Sequence, residues 1–267
     1  MKKLLAIPAL ALLFTACEEA PNFDIRNVFS VTLPGGTVFH ITETVISVWI
    51  VMAIMIAIGI AARIALNKVV DEKQIPSGFI NFIEFGVESF RNFVKGSAGP
   101  KLMFLGHWFF TVFIFVLLSN WIGLLGGLRN PTADWAVTGA LGISSFIMIN
   151  FFGIWYRGGG YIRQLFEPFI PVFGVKLPNI PFGILNIIGE LARPISLSFR
   201  LFGNILSGMI LISLLYSIPS FLGIFPQLGF PLILHGFFDV AIGALQAFVF
   251  TVLSLTFIGI ASTTSEE

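Results

Sequence analysis

The stretch Glu190-Leu191-Ala192-Arg193-Pro194-Ile195-Ser196-Leu197-Ser198-Phe199-Arg200-Leu201-Phe202-Gly203-Asn204-Ile205-Leu206-Ser207-Gly208 sets one permanent charge, Arg200, deep in an apolar run. A guanidinium is not neutralised at any relevant pH, and at membrane depth it costs a few kcal/mol or more, so such a residue is a functional candidate by default. The run is longer than the quoted part. From Phe182 to Ser217 it is mostly apolar, and as one helix it would reach near 54 Å against a hydrocarbon core of about 30 Å. It fits a bilayer only by tilting steeply or by breaking, and Pro194 is the place to break.

Composition gives the solvent. The chain of 267 residues is 56% hydrophobic and 11% charged, with 31 Phe, and its mean hydropathy is +0.94. A water-soluble domain of this make-up would expose too much apolar surface, so a polytopic membrane protein in contact with lipid is expected. The net charge of +1 and the lack of a basic patch with interleaved aromatics give no reason to expect nucleic acid. Cys17 is the single cysteine, and no Cys/His cluster has metal-ligand spacing, so neither an internal disulfide nor a metal or other cofactor is expected.

Outward from the central stretch, the hydropathy divides the chain. Residues 1–17, with Lys2 and Lys3, an apolar run to Leu13 and Phe14-Thr15-Ala16-Cys17, have the form of a signal peptide or lipoprotein-like leader. Residues 18–43 form an external segment, 44–262 a membrane domain and 263–267 a cytoplasmic tail. Thr44 to Ala62 is free of charge and long enough to span. Glu18, Glu19, Asp24 and Glu43 precede it and Arg63, Lys68 and Lys73 follow it, which by the positive-inside rule puts the N-terminus outside. Phe79 to Val94 mixes aromatics with Glu84, Glu88 and Arg91 at helical spacing and suits the interface. Crossings near 103–125 and 135–156 make a hairpin, and Arg157, Arg163 and Lys176 then stand on the inner side. A last long segment, Pro231 to Ser262, leaves the C-terminus cytoplasmic. The expected fold is all-α, with about five spanning helices plus an interfacial helix, the last two spans long and steeply tilted.

Polar residues on those two spans are ordered. Asn186, Glu190, Arg193, Ser196, Arg200, Asn204 and Ser207 step by three or four and share one helix face, with Gly203 and Gly208 leaving room beside them. His235, Asp239, Gly243 and Gln246 step by four, four and three, with Ser254 near their continuation. Lipid is an unacceptable neighbour for either row, because unpaired polar groups there cost several kcal/mol each. Water-filled clefts, each other or another protein must meet them. Duller roles compete at individual positions. Glu190 and Arg193, three apart, can neutralise each other, and Asn204 and Gln246 can be interhelical hydrogen-bonding glue. His235 can be an interfacial residue, and Asn120 and Asp134 can serve as turn or cap residues or line an outer aqueous entrance. Asp239, a carboxylate within a span, is harder to assign to structure alone.

The string Glu190 to Asn204 resembles the signature of subunit a of F-type ATP synthases. Leu245-Gln246-Ala247-Phe248-Val249-Phe250-Thr251 resembles it too, and Ser119-Asn120-Trp121-Ile122-Gly123-Leu124-Leu125 and Asn130-Pro131-Thr132-Ala133-Asp134 are weaker echoes in the family's order. The similarity runs from about Phe29 to Ala261. It implies a non-catalytic, ion-conducting stator of the F0 sector in a bacterial inner membrane. The partners it implies are the c-ring, the subunit b peripheral stalk, other F0F1 subunits and membrane lipid. Arg200 matches the family's essential arginine between two half-channels, Gln246 the glutamine opposite it and Asn204 the asparagine one turn on. Asp239 and His235 match ionisable positions of the outer half-channel. Glu190 and Ser207 join these as ion-translocation candidates, and Asn120, Asp134, Asn186, Ser196 and Ser254 are candidate lining residues.

Three positions depart from the family pattern: Gly126 replaces a proline, Gly189 stands where a carboxylate is frequent, and Met209 where Glu or His is frequent. The last change shifts more of the outer-channel task to Asp239. A sodium-coupled form of the same subunit is one alternative. A secondary transporter binding an anionic substrate at Arg200 is another, although such proteins commonly carry paired repeats and the arginine row has no second copy. No phosphate-cradling Gly-rich motif with Lys-Ser/Thr is present.

Overall fold

The structure, a computed structural model, describes residues 27–32, 38–72, 78–125, 128–166, 170–172, 175–177, 180–216 and 233–263. The leader with Cys17, Gly126 and the last four residues lie outside them. Five helices are long and apolar enough to cross a membrane: Glu43–Asn67, Pro100–Leu124, Trp135–Arg157, Pro181–Leu214 and Ile233–Ser262. All five crossings expected from hydropathy are present, with ends displaced by a few residues.

The chain forms two compact units, each drawing on several stretches of sequence. In the first (Met1–Asn81, Phe113–Trp135, Leu201–Phe248), strands β1 (Asn27–Thr32) and β2 (Val38–Thr42) pair antiparallel. Val28, Val31, Val38 and Thr42 are β-branched, and Gly35-Gly36 stands in the connection, the composition of a hairpin. Helix α1 (Glu43–Glu72) follows directly. The Val45 N–H donates to Thr42 Oγ1 (3.4 Å), and Glu43 in the first turn complements the helix dipole. Over residues 43–67, where burial is described, only Thr44, Ser47 and Val51 of α1 are buried, while Trp49, Met52, Ile56, Ile60 and Ile64 are exposed. A helix apolar all round with one narrow buried stripe is a helix whose other faces meet lipid.

The second unit comprises Phe82–Val112, Ala136–Arg200 and Val249–Glu267. Its core is built from Val94 of α2 (Phe79–Ala98), Leu102 and Leu105 of a 3-10 turn, Phe109 of α3 (Gly106–Trp121) and Ile149 of α4 (Trp135–Arg157). Tyr161 of α5 (Gly159–Leu165) and Leu255, Ile258 and Ala261 of the last helix complete it. Gly158, at φ 55°, ends α4 with its N–H on Ile154 O (2.8 Å), the left-handed cap that glycine adopts without penalty. Strands β3 (Ile170–Val172) and β4 (Val175–Leu177) pair antiparallel. Neither hairpin is anticipated by hydropathy, because its strands are far shorter than the apolar runs that mark spans.

Helix α6 (Ile180–Tyr216) runs for 37 residues straight through Pro194, about 55 Å at the α-helical rise. The break at Pro194 does not occur. Proline removes the N–H that would donate to Glu190 O, and four residues on Ser198 Oγ donates back to Pro194 O (2.8 Å). Gly142 of α4 lies against the same turn, since a Cβ there would stand 2.1 Å from Ser198 Oγ and 2.7 Å from Pro194 O. The close approach of α4 and α6 therefore requires glycine at 142.

Candidate functional site: polar side chains of the two long helices

Arg200 is exposed at the surface of the chain. Among the described residues no carboxylate or hydrogen-bond acceptor engages its guanidinium. Its neighbour Phe199 is exposed as well, whereas Leu197 and Leu201 are buried, so the helix is anchored by one face and presents Arg200 on another. Ser196 and Ser207 are also exposed, and Ser207 Oγ donates to Asn204 O (3.0 Å).

One helical turn beyond Arg200, Asn204 Nδ2 donates to Gln246 Oε1 at 2.6 Å. Gln246 is 4% exposed, and its Nε2 has no acceptor among the described residues. The competing role of interhelical hydrogen-bonding glue has a contact behind it, and the glutamine keeps a buried donor without an acceptor among the described residues. His235 Nδ1 and Asp239 Oδ2 lie 2.7 Å apart, both partly buried. An i,i+4 contact orients the ring whichever tautomer is present.

Between these pairs the helix is not α-helical. Gly236–Ile242 is a π-helical segment, and α7 (Gly243–Ser262) begins after it. The three- and four-residue steps that put His235, Asp239, Gly243 and Gln246 on a single face assume an α period, and wider i→i+5 turns shift that phase. Gly243 and Gln246 are buried, while His235 and Asp239 are only partly so.

In the second unit, Arg193 Nη1 contacts Glu190 Oε1 at 2.6 Å and Oε2 at 2.7 Å, and its guanidinium lies 4.9 Å from the centroid of the Phe257 ring. The pairing read from their spacing is present, with the ring supplying a cation–π contact. The pair borders a cavity of about 360 Å³ that also has Asn186 and the buried Tyr161 in its wall. Burial pushes the Tyr161 phenol above its ordinary value and the Glu190 carboxylate adds to the rise, with Arg193 and Arg157 opposing. Its hydroxyl donates to Asn150 Oδ1 (3.3 Å). Sequence reasoning missed Tyr161, whose only signal is an aromatic in a Gly-rich connection.

The other candidates have interior partners. Ser254 is buried and its hydroxyl shares a hydrogen bond with Ser145 Oγ (3.1 Å). Asn120 is 0% exposed, and its amide spans Thr132 and Gly243. Asp134 is partly buried beside the 3-10 turn Pro131–Ala133. No group of three or more His, Cys, Asp or Glu side chains that could hold a metal ion occurs among the described residues.

Spanning helices with apolar outer faces, carrying amide, carboxylate and guanidinium groups at membrane depth, define a polytopic α-helical membrane protein. Residues 45–259 match the family model described as ATP synthase A chain; the chain belongs to that family. It is 34% identical over 83% of its length to "ATP synthase subunit a" of Solidesulfovibrio magneticus, covering 86% of that protein. It is likewise 34% identical to "ATP synthase subunit a" of Moorella thermoacetica, over 83% of this chain and 93% of the relative. For the protein of the same name from Mycoplasmoides gallisepticum the identity is 33%, over 81% and 77%.

Proposed function

We propose that this chain is the ion-conducting stator subunit of the F0 sector of an F-type ATP synthase. In this reading it is non-catalytic, passes protons to and from the c-ring through two half-channels, and is held by subunit b and other F0F1 subunits. The observation that carries the reading is Arg200: exposed, without an ion-pair partner among the described residues, and in the middle of a span. Lipid is a poor neighbour for a bare guanidinium, so a partner bearing a complementary group must meet it.

A rotor helix with a carboxyl group supplies that complement. The acid is neutral while it faces lipid, and ionises beside Arg200 because an ion pair is far more stable there than an acid next to a buried guanidinium. Arg200 thus enforces ion release, and it repels any cation trying to pass directly between the two inlets. Asn204, Gln246, His235, Asp239, Glu190 and Ser207 serve ion transfer, with Asn186 and Ser196 as lining residues. Each charge crossing 100 mV contributes about 2.3 kcal/mol, so several must add to drive one ATP.

Arg63, Lys68 and Lys73 after the first span, and Arg157, Arg163 and Lys176 after the third, support an inner bacterial membrane with the N-terminus external and the C-terminus cytoplasmic. Family membership disfavours the secondary transporter. Cysteine pairing tests the reading: with Ser196 or Ser207 replaced by Cys, a disulfide is expected to the outer helix of a small two-helix ring subunit. Failure of every such pair, in complexes that co-purify with the ring, would remove the basis for a rotor-facing Arg200.

A further inference from the structure

The π-helical segment Gly236–Ile242 creates a local mismatch. Where an i→i+5 ladder returns to i→i+4, one N–H must serve two carbonyls, so an acceptor at the C-terminal end is under-supplied. This sharing is present: the Gly243 N–H points to both Phe238 O and Val240 O. Two side chains of α3 bond to carbonyls at this change of ladder. Trp121 Nε1 donates to Val240 O (3.3 Å) and Asn120 Nδ2 to Gly243 O (2.9 Å). A carbonyl can only accept, so the Asn120 amide must turn its NH2 toward Gly243; its Oδ1 then faces Thr132 Oγ1, which donates at 2.6 Å. Asn120 and Thr132 are both 0% exposed, and a Cβ on Gly243 would stand 3.0 Å from Asn120 Cβ, so a bulkier residue at the junction would have to displace Asn120. The two Asn120 bonds are buried, and a buried bond is costly to leave unmade.

We propose that Asn120, locked by Thr132 and assisted by Trp121, is a positioning device for the last helix. It stabilises the π-to-α junction and thereby sets the rotation of the helix beyond it, which brings Gln246 Oε1 to Asn204 while His235 and Asp239 stay on the wider turn before it. The amide oxygen and NH2 of Asn120 are each engaged in the interior. The consequence for conduction rests on the role proposed above for Gln246; the geometric claim does not.

The variant Thr132→Val keeps shape and removes only the hydroxyl that orients Asn120. In the whole complex, cryo-electron microscopy should find the π segment relaxed toward α-helix and the Asn204–Gln246 bond broken. ATP-driven proton pumping by the same complexes should fall on the order of tenfold, as misplaced groups cost in other sites, and Thr132→Ser, which restores a donor, should recover both. Trp121→Phe, which removes one donor at the edge of the network, should move both readouts less and in the same direction, and it decides the matter if Thr132→Val does not assemble. An unchanged π segment and an intact Asn204–Gln246 bond overturn the proposal. Altered geometry with undiminished pumping leaves the positioning device standing and overturns instead the part given to Gln246 in ion transfer.

Discussion

At Arg200 the surroundings matter as much as the charge. Buried Leu197 and Leu201 on the adjacent face fix the helix, so the guanidinium is held outward by packing and not by an ion pair. Lysine at this position would keep a charge but lose the planar fork and would deprotonate more readily in an apolar setting. Arg200→Lys is therefore expected to give assembled complexes with at least a tenfold loss of ATP-driven pumping, about 1.4 kcal/mol of transition-state stabilisation; wild-type pumping would argue against the fork. Tyr161 offers a second test. A phenol whose folded value is raised contributes stability that is present below the unfolded value, near pH 10, and lost as pH rises through the folded value. Alkaline unfolding of the purified chain should thus begin above about pH 10, and Tyr161→Phe should remove that component; an identical alkaline profile for both proteins would contradict it.

The helices show what spacing does and does not reveal. Glu190–Arg193 is readable in the sequence because α6 keeps its α period through Pro194, whereas the partner of Asn204 lies on another helix. The π segment carries no comparable mark: Gly236-Phe237-Phe238-Asp239-Val240-Ala241-Ile242 has the composition of an ordinary apolar helix. A π turn shifts the helical phase of positions read across it. The Asn120–Thr132–Gly243 network is illegible for the same reason, since its partners are far apart in sequence and meet only after folding. Helix packing gives a further prediction. Gly142→Ala drives a methyl into Ser198 Oγ and the Pro194 carbonyl, and overpacking of this kind costs about 1–3 kcal/mol. The thermal midpoint of the complex should fall by several degrees, or the yield of assembled subunit should drop; neither change would mean that α4 and α6 separate easily.

Across the molecule, apolar runs define five spans, and the ends expected from hydropathy lie within a few residues of the helices. Lipid enforces this legibility: backbone groups in hydrocarbon must be satisfied within the helix, so length and hydropathy nearly determine the element. The two hairpins escape because their short strands satisfy each other across a connection and leave no long apolar run to read. Proton and sodium coupling make opposite predictions at this scale. A proton-coupled complex should pump in vesicles at a rate independent of sodium, whereas sodium-stimulated ATP hydrolysis would assign the other ion. A fixed positive charge at Arg200 is proposed to make a passing acid surrender its ion. That proposal is tested most directly by ATP synthesis in vesicles under an imposed proton gradient, using Arg200→Gln complexes shown to be fully assembled. Synthesis should be abolished while hydrolysis at the detached catalytic sector persists; coupled synthesis at the wild-type rate would contradict the account.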